Sequence, residues 1–139
     1  MKTIAIKVGH ICFEVGTIKK SLKFWAPLFE VAGFKEIMGD DDFVGFSNGS
    51  FELFLCRSKP RRVKRLAPSG KEMVISDHVA FRVGKRGDVD AISHAMQGAG
   101  VTALFPPEEH RQFTPGYYAA SFSDPDNNVI EFYTVPRRK

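Results

Sequence analysis

At 139 residues the chain is long enough for one domain, or two closely paired half-domains, with a sizeable core. A formal net charge of +4 is too mild to mark a nucleic-acid binder, and no apolar run approaches membrane-spanning length. Met1–Val8 is too short and too charged for a secretory leader, which points to the cytoplasm. The two cysteines, Cys12 and Cys56, form no framework or CxxC pair and read as reduced, buried thiols.

In chain order, Lys7–Val15 (KVGHICFEV) alternates as a strand, with Ile11, Phe13 and Val15 on one face and His10, Cys12 and Glu14 on the other. Thr17 is placed to cap a helix with apolar positions Ile18, Leu22, Trp25, Phe29 and Ala32, closed by Gly33. Lys35–Met38 and Phe43–Ser47 read as strands around an acidic turn. Asn48-Gly49 signals a hairpin, since both residues accept positive φ. Phe51–Arg57 (FELFLCR) then puts Glu52, Phe54 and Cys56 opposite Phe51, Leu53 and Leu55.

A basic, proline-bearing stretch without periodicity follows and reads as a linker over residues 58–75. Asp77–Val83 (DHVAFRV) restarts the pattern, with His78, Ala80 and Arg82 opposite Val79, Phe81 and Val83. Asp88 reads as the cap of a second helix carrying Val89, Ile92, Met96 and Ala99 and closed by Gly100. Val101–Leu104 is a predicted strand and Phe105–Gly116 a proline-rich loop. Strands then flank the turn Asp124-Pro125-Asp126-Asn127-Asn128, the second of them setting Glu131 and Tyr133 opposite Ile130 and Phe132. The chain thus repeats itself, module one over 7–57 and module two over 76–134, each strand, helix and three strands. The expected fold is α+β: two paired βαβββ modules forming a curved mixed sheet with the helices outside.

His10 and Glu52 in the first module hold the places of His78 and Glu131 in the second. A strand histidine standing alone is most often structural, but two His and two Glu at equivalent places in a repeat suit one divalent Zn, Ni, Co, Mn or Fe ion. Such an ion would also compensate the two carboxylates for leaving water.

These residues, with the Ser21–Trp25 helix run and the Asp124–Asn128 turn, make the chain resemble the vicinal oxygen chelate superfamily, which includes glyoxalase I, fosfomycin-resistance proteins, extradiol dioxygenases and bleomycin-binding proteins. Resemblance to glyoxalase I implies that His10, Glu52, His78 and Glu131 are metal ligands. It also implies that Glu52 or Glu131 serves as catalytic base in an isomerisation of a small vicinal-oxygen substrate. His10, His78 and Glu131 alone match the ligand set of an Fe(II) dioxygenase. Bleomycin binders generally lack these ligands, so the full set favours an enzyme over a drug-binding protein without turnover. Most relatives are homodimers, and neither nucleic acid nor membrane is an expected partner. Glyoxalase I usually has an Arg four residues after its first ligand position; here that place is Glu14, which would repel a glutathione carboxylate. The same place in module two holds Arg82, so both are expected to face the substrate, either paired with each other or with Arg82 holding an anionic substrate. Phe54 and Tyr133 are expected pocket walls, Tyr118 a substrate contact, and His110 a loop-borne acid/base group. His94, on the second helix, reads as inert.

Overall fold

The computed structural model describes residues 3–5, 7–57 and 78–136. Module one runs β1 (His10–Val15), α1 (Ile18–Val31), β2 (Lys35–Gly39), β3 (Phe43–Ser47) and β4 (Glu52–Arg57). Module two repeats this as β5 (Val79–Arg82), α2 (Arg86–Gly98), β6 (Ala103–Glu109), β7 (Tyr118–Ser123) and β8 (Val129–Thr134). The expected linker at 58–75, and Asp77, lie outside the described residues.

The expected α+β fold of two paired modules is present: among the described residues eight strands hydrogen-bond as two four-stranded mixed sheets, ordered β1-β4-β3-β2 and β5-β8-β7-β6, one from each module. In each, the first strand of the module runs parallel beside its last, and the other pairings are antiparallel. The period-2 pattern fixes which face is covered. Phe13, Val15, Leu53, Leu55, Ile130 and Phe132 are buried, and they join Trp25, Phe29, Val89 and Met96 in one core shared by both modules. The alternate residues of β1, β4, β5 and β8 form the open faces.

Thr17 caps α1 as its position suggests, its hydroxyl accepting the Lys20 N–H at 3.2 Å. Asp88 is not the cap of α2. That place belongs to Lys85, and Asp88 sits in the first turn with its carboxylate accepting the Lys85 N–H at 3.1 Å. The Asn48-Gly49 hairpin forms between β3 and β4 as expected, but only Gly49 takes positive φ (+89°). Asn48 instead uses its side chain, Oδ1 accepting from the backbone of Ser50 and Phe51. Strand β6 continues through Pro106 and Pro107 to Glu109, where a loop was expected. The prolines are tolerated because β6 is an edge strand whose register with β7 slips on either side of Phe105.

The Asp124–Asn128 turn does more than reverse the chain. Asp124, 4% exposed, accepts from Trp25 Nε1 at 3.2 Å and from the Asp126 and Asn128 backbones and the Asn128 side chain. Asp126 Oδ1 accepts the Gly16 N–H at 2.9 Å, and Asn128 Nδ2 donates to the Glu14 carbonyl at 3.1 Å. Module two is thereby hydrogen-bonded to the β1–α1 junction of module one. Asn127 takes φ +65°, which asparagine tolerates better than most residues.

Candidate functional site

Parallel pairing of β1 with β4 sets His10 directly across from Glu52, and pairing of β5 with β8 sets Ala80, two residues after His78, across from Glu131. Each sheet therefore presents one imidazole and one carboxylate toward the same end of the parallel pair at its edge. In module two the two groups meet, His78 Nε2 lying 3.2 Å from Glu131 Oε2. The Glu131 side chain is only 13% exposed, against 40% for His78. In module one the His10 ring stands edge-on to Phe54, with centroids 5.6 Å apart. Among the described residues the Glu52 carboxylate has no hydrogen bond or ion pair.

The sequence leaves open whether the four side chains gather within one chain or across two. Among the described residues no three His, Cys, Asp or Glu side chains come close enough to share a metal ion. The physical reason is the division into two sheets: each His/Glu pair is set by its own parallel strand pair, and no ladder among the described residues joins them. The donors suit a divalent metal, but each group of two is half a site, since such an ion generally takes at least three protein ligands.

The sequence reading passed over Tyr117. Its hydroxyl donates to Glu131 Oε1, so the Glu131 carboxylate is held from both sides, by Tyr117 and by His78. Burial of the phenol, reinforced by that hydrogen bond and the nearby Glu131 charge, raises the Tyr117 pKa well above the ordinary 10.0. Its ring stacks on Tyr133, centroids 5.0 Å apart with the ring planes nearly parallel, and meets Phe113 edge-on at 5.4 Å. His110 enters the same group from the end of β6. Its backbone N–H bonds the Tyr117 carbonyl at 2.7 Å, its ring stacks on Phe113, and its side chain is 15% exposed. The signal available in the sequence was strand parity, since Tyr117 opens the β-rich run Tyr117–Ser123 on the face that Ser121 shares with Glu131.

Tyr118 is a correction. It faces α2 rather than the Glu131 side, with its hydroxyl donating to Asp90 Oδ1 at 2.6 Å and Arg86 lying over its ring. Parity decides this, because Tyr118 pairs opposite Thr134 and so shares the core face of β8. Hydrogen bonding to Asp90 is the main cause of its raised pKa. Phe54 lies on the open face of β4, where expected. Arg82 donates to the Val135 carbonyl at 3.3 Å and does not reach Glu14, so these two charges form no pair across the modules. Glu14 stands on the open face of β1. His94 is exposed on α2.

The cysteines depart furthest from expectation. They are not buried: Cys12 is exposed and Cys56 half-buried, both on the open face. Their sulfurs are joined as a disulfide across β1 and β4, with Cα atoms 6.6 Å apart.

Comparison with known proteins agrees with this architecture. The chain superposes on a glyoxylase/bleomycin resistance protein/dioxygenase domain from Frankia sp. EAN1pec with a TM-score of 0.71 at 20% identity, covering 96% of this chain and 100% of that one. It matches a genomically encoded fosfomycin resistance protein from Listeria monocytogenes at TM-score 0.67 and 17% identity, covering 96% of each chain. A lactoylglutathione lyase from Agrobacterium tumefaciens matches at TM-score 0.67 and 16% identity, over 95% of this chain and 96% of that one. No curated protein is significantly similar in sequence. At these identities the likeness establishes the fold alone, and no helix among the described residues is long and apolar enough to cross a membrane. Residues 7–132 match the family profile directly, and the chain belongs to the Glyoxalase/Bleomycin resistance protein/Dioxygenase superfamily.

Proposed function

We propose that the protein is a metal-dependent enzyme of the glyoxalase type, acting on a small substrate with two adjacent oxygens. Its metal site forms when the His10/Glu52 pair of one chain meets the His78/Glu131 pair of a second. The observation that carries this reading is the matched His/Glu pair at the same end of the parallel strand pair in both modules. Two donors are too few for a divalent ion, and pairing two chains supplies four. Once bound, the metal supplies Lewis-acid stabilisation of negative charge on the substrate oxygens.

The carboxylates divide the work. Glu131, clamped by Tyr117 and His78, is the positioned ligand. Glu52 is the proton-moving base, because among the described residues nothing ties its carboxylate down. Tyr117, Tyr133, Phe113 and His110 wall the module-two side and exclude water from Glu131.

Complementation between chains tests this. A His10→Ala/Glu52→Gln chain and a His78→Ala/Glu131→Gln chain should each purify without stoichiometric zinc or nickel. Unfolded and refolded together in equal amounts, they should regain about a quarter of the wild-type metal, since half the dimers are mixed and each mixed dimer holds one intact site of two. A wild-type protein without metal, or a mixture that regains none, overturns the proposal.

A further inference from the structure

A second chemistry-bearing group lies on the open face of module one, and it is independent of the reading above. Cys12 and Cys56 are far apart in sequence, yet parallel pairing sets Cys12 opposite Phe54 and Cys56 opposite Glu14, on one face of neighbouring strands. Their Cα separation of 6.6 Å lies inside the range a disulfide spans. No helix among the described residues covers them: Cys12 is exposed and Cys56 half-buried.

The fold beneath does not depend on the link. β1 and β4 are already held by a six-position register, and Phe13 and Leu55, across from each other in that register, are buried in the core on the opposite face. Oxidised and reduced forms are therefore both compatible with the same sheet. An interior staple would be closed to solvent; here one cysteine is an exposed residue and the other lies within bonding reach, the arrangement that lets one thiol attack and the other resolve.

We infer that Cys12 and Cys56 form a reversible thiol–disulfide exchange site for low-molecular-weight disulfides. The Cys12 sulfur attacks one sulfur of the small disulfide, whose S–S bond breaks, and the released thiol carries away the Cys12 proton. Cys56 then attacks the Cys12 sulfur of the mixed disulfide, releasing the second small thiol with the Cys56 proton. Two protein thiols are oxidised and one small disulfide is reduced to two thiols. At the mixed stage the small molecule lies beside Phe54, which itself contacts His10, so the adduct crowds the module-one half-site.

The test uses the full chain in buffers of varied reduced-to-oxidised glutathione ratio, quenched with an alkylating reagent and read by intact mass and peptide mapping. The expected result is smooth interconversion between a doubly alkylated dithiol and an internal link joining the Cys12 and Cys56 peptides. Cys56→Ser should stop with one glutathione on Cys12, and Cys12→Ser should react at least several-fold more slowly, because Cys56 is less accessible. A link that survives excess reduced glutathione, thiols that stay free in excess glutathione disulfide, or a link only between two chains would each overturn the proposal.

Discussion

At the scale of single residues, Tyr117 shows how one hydroxyl organises a carboxylate. Its proton is retained because the phenol is shielded from water and lies against Glu131. The sign of the linkage follows. In the unfolded chain the phenol ionises near its ordinary 10.0, whereas in the folded chain it resists ionisation to higher pH. Stability from this group is fully present below pH 10.0 and is lost as pH rises beyond it. Tyr117→Phe should therefore flatten the alkaline fall of the urea-unfolding free energy relative to wild type while changing little at pH 7–8. An unchanged alkaline slope would detach Tyr117 from Glu131. Tyr118→Phe serves as the companion variant, since that phenol is also raised but through Asp90.

Strands and turns carry a different kind of information. The covered and open faces of β1, β4 and β8 were legible in the sequence, because alternation is a local property of the chain. Which strands become neighbours is not local. Nothing in GHICFEV or FELFLCR states that these segments run parallel side by side, so the meeting of Cys12 with Cys56 could not be read from them. Nor could the separation of the four His and Glu residues into two pairs, which depends on where one sheet stops. Pro106 and Pro107 suggested a loop because they cannot donate to a ladder, yet the outer side of an edge strand asks for no donor. Register also sets a tight spot between β3 and β4. Gly45 pairs opposite Phe54, and a Cβ there would come within 2.5 Å of the Phe54 ring. Gly45→Ala should lower stability by about 1–3 kcal/mol by displacing that ring. The same change made in a Phe54→Ala background should cost much less, and equal losses in both backgrounds would show that the ring is not the obstacle.

For the whole molecule, the decisive contacts are those that tie one module to the other. Asp124 is nearly buried and satisfies four donors, among them the indole N–H of Trp25, itself fully buried. Asp124→Ala should reduce stability by about 3 kcal/mol, the order expected when buried donors lose a charged acceptor. Equilibrium urea unfolding measures this, and a loss under about 1 kcal/mol would mean water replaces the carboxylate. The same contacts impose an order in time. Trp25 and Asp124 are 99 residues apart in the chain, and Gly16 and Asp126 are 110 apart. A ribosome that has finished the whole first module has not yet made the turn on which Trp25 and Gly16 depend. The nascent module must then wait with an indole N–H unpaired and one side of the shared core uncovered, a slow non-local step during which sticky surface is on display. Two modules alike in pattern are thus unequal in biosynthesis: the second arrives with its partner already made, and the first waits for its own.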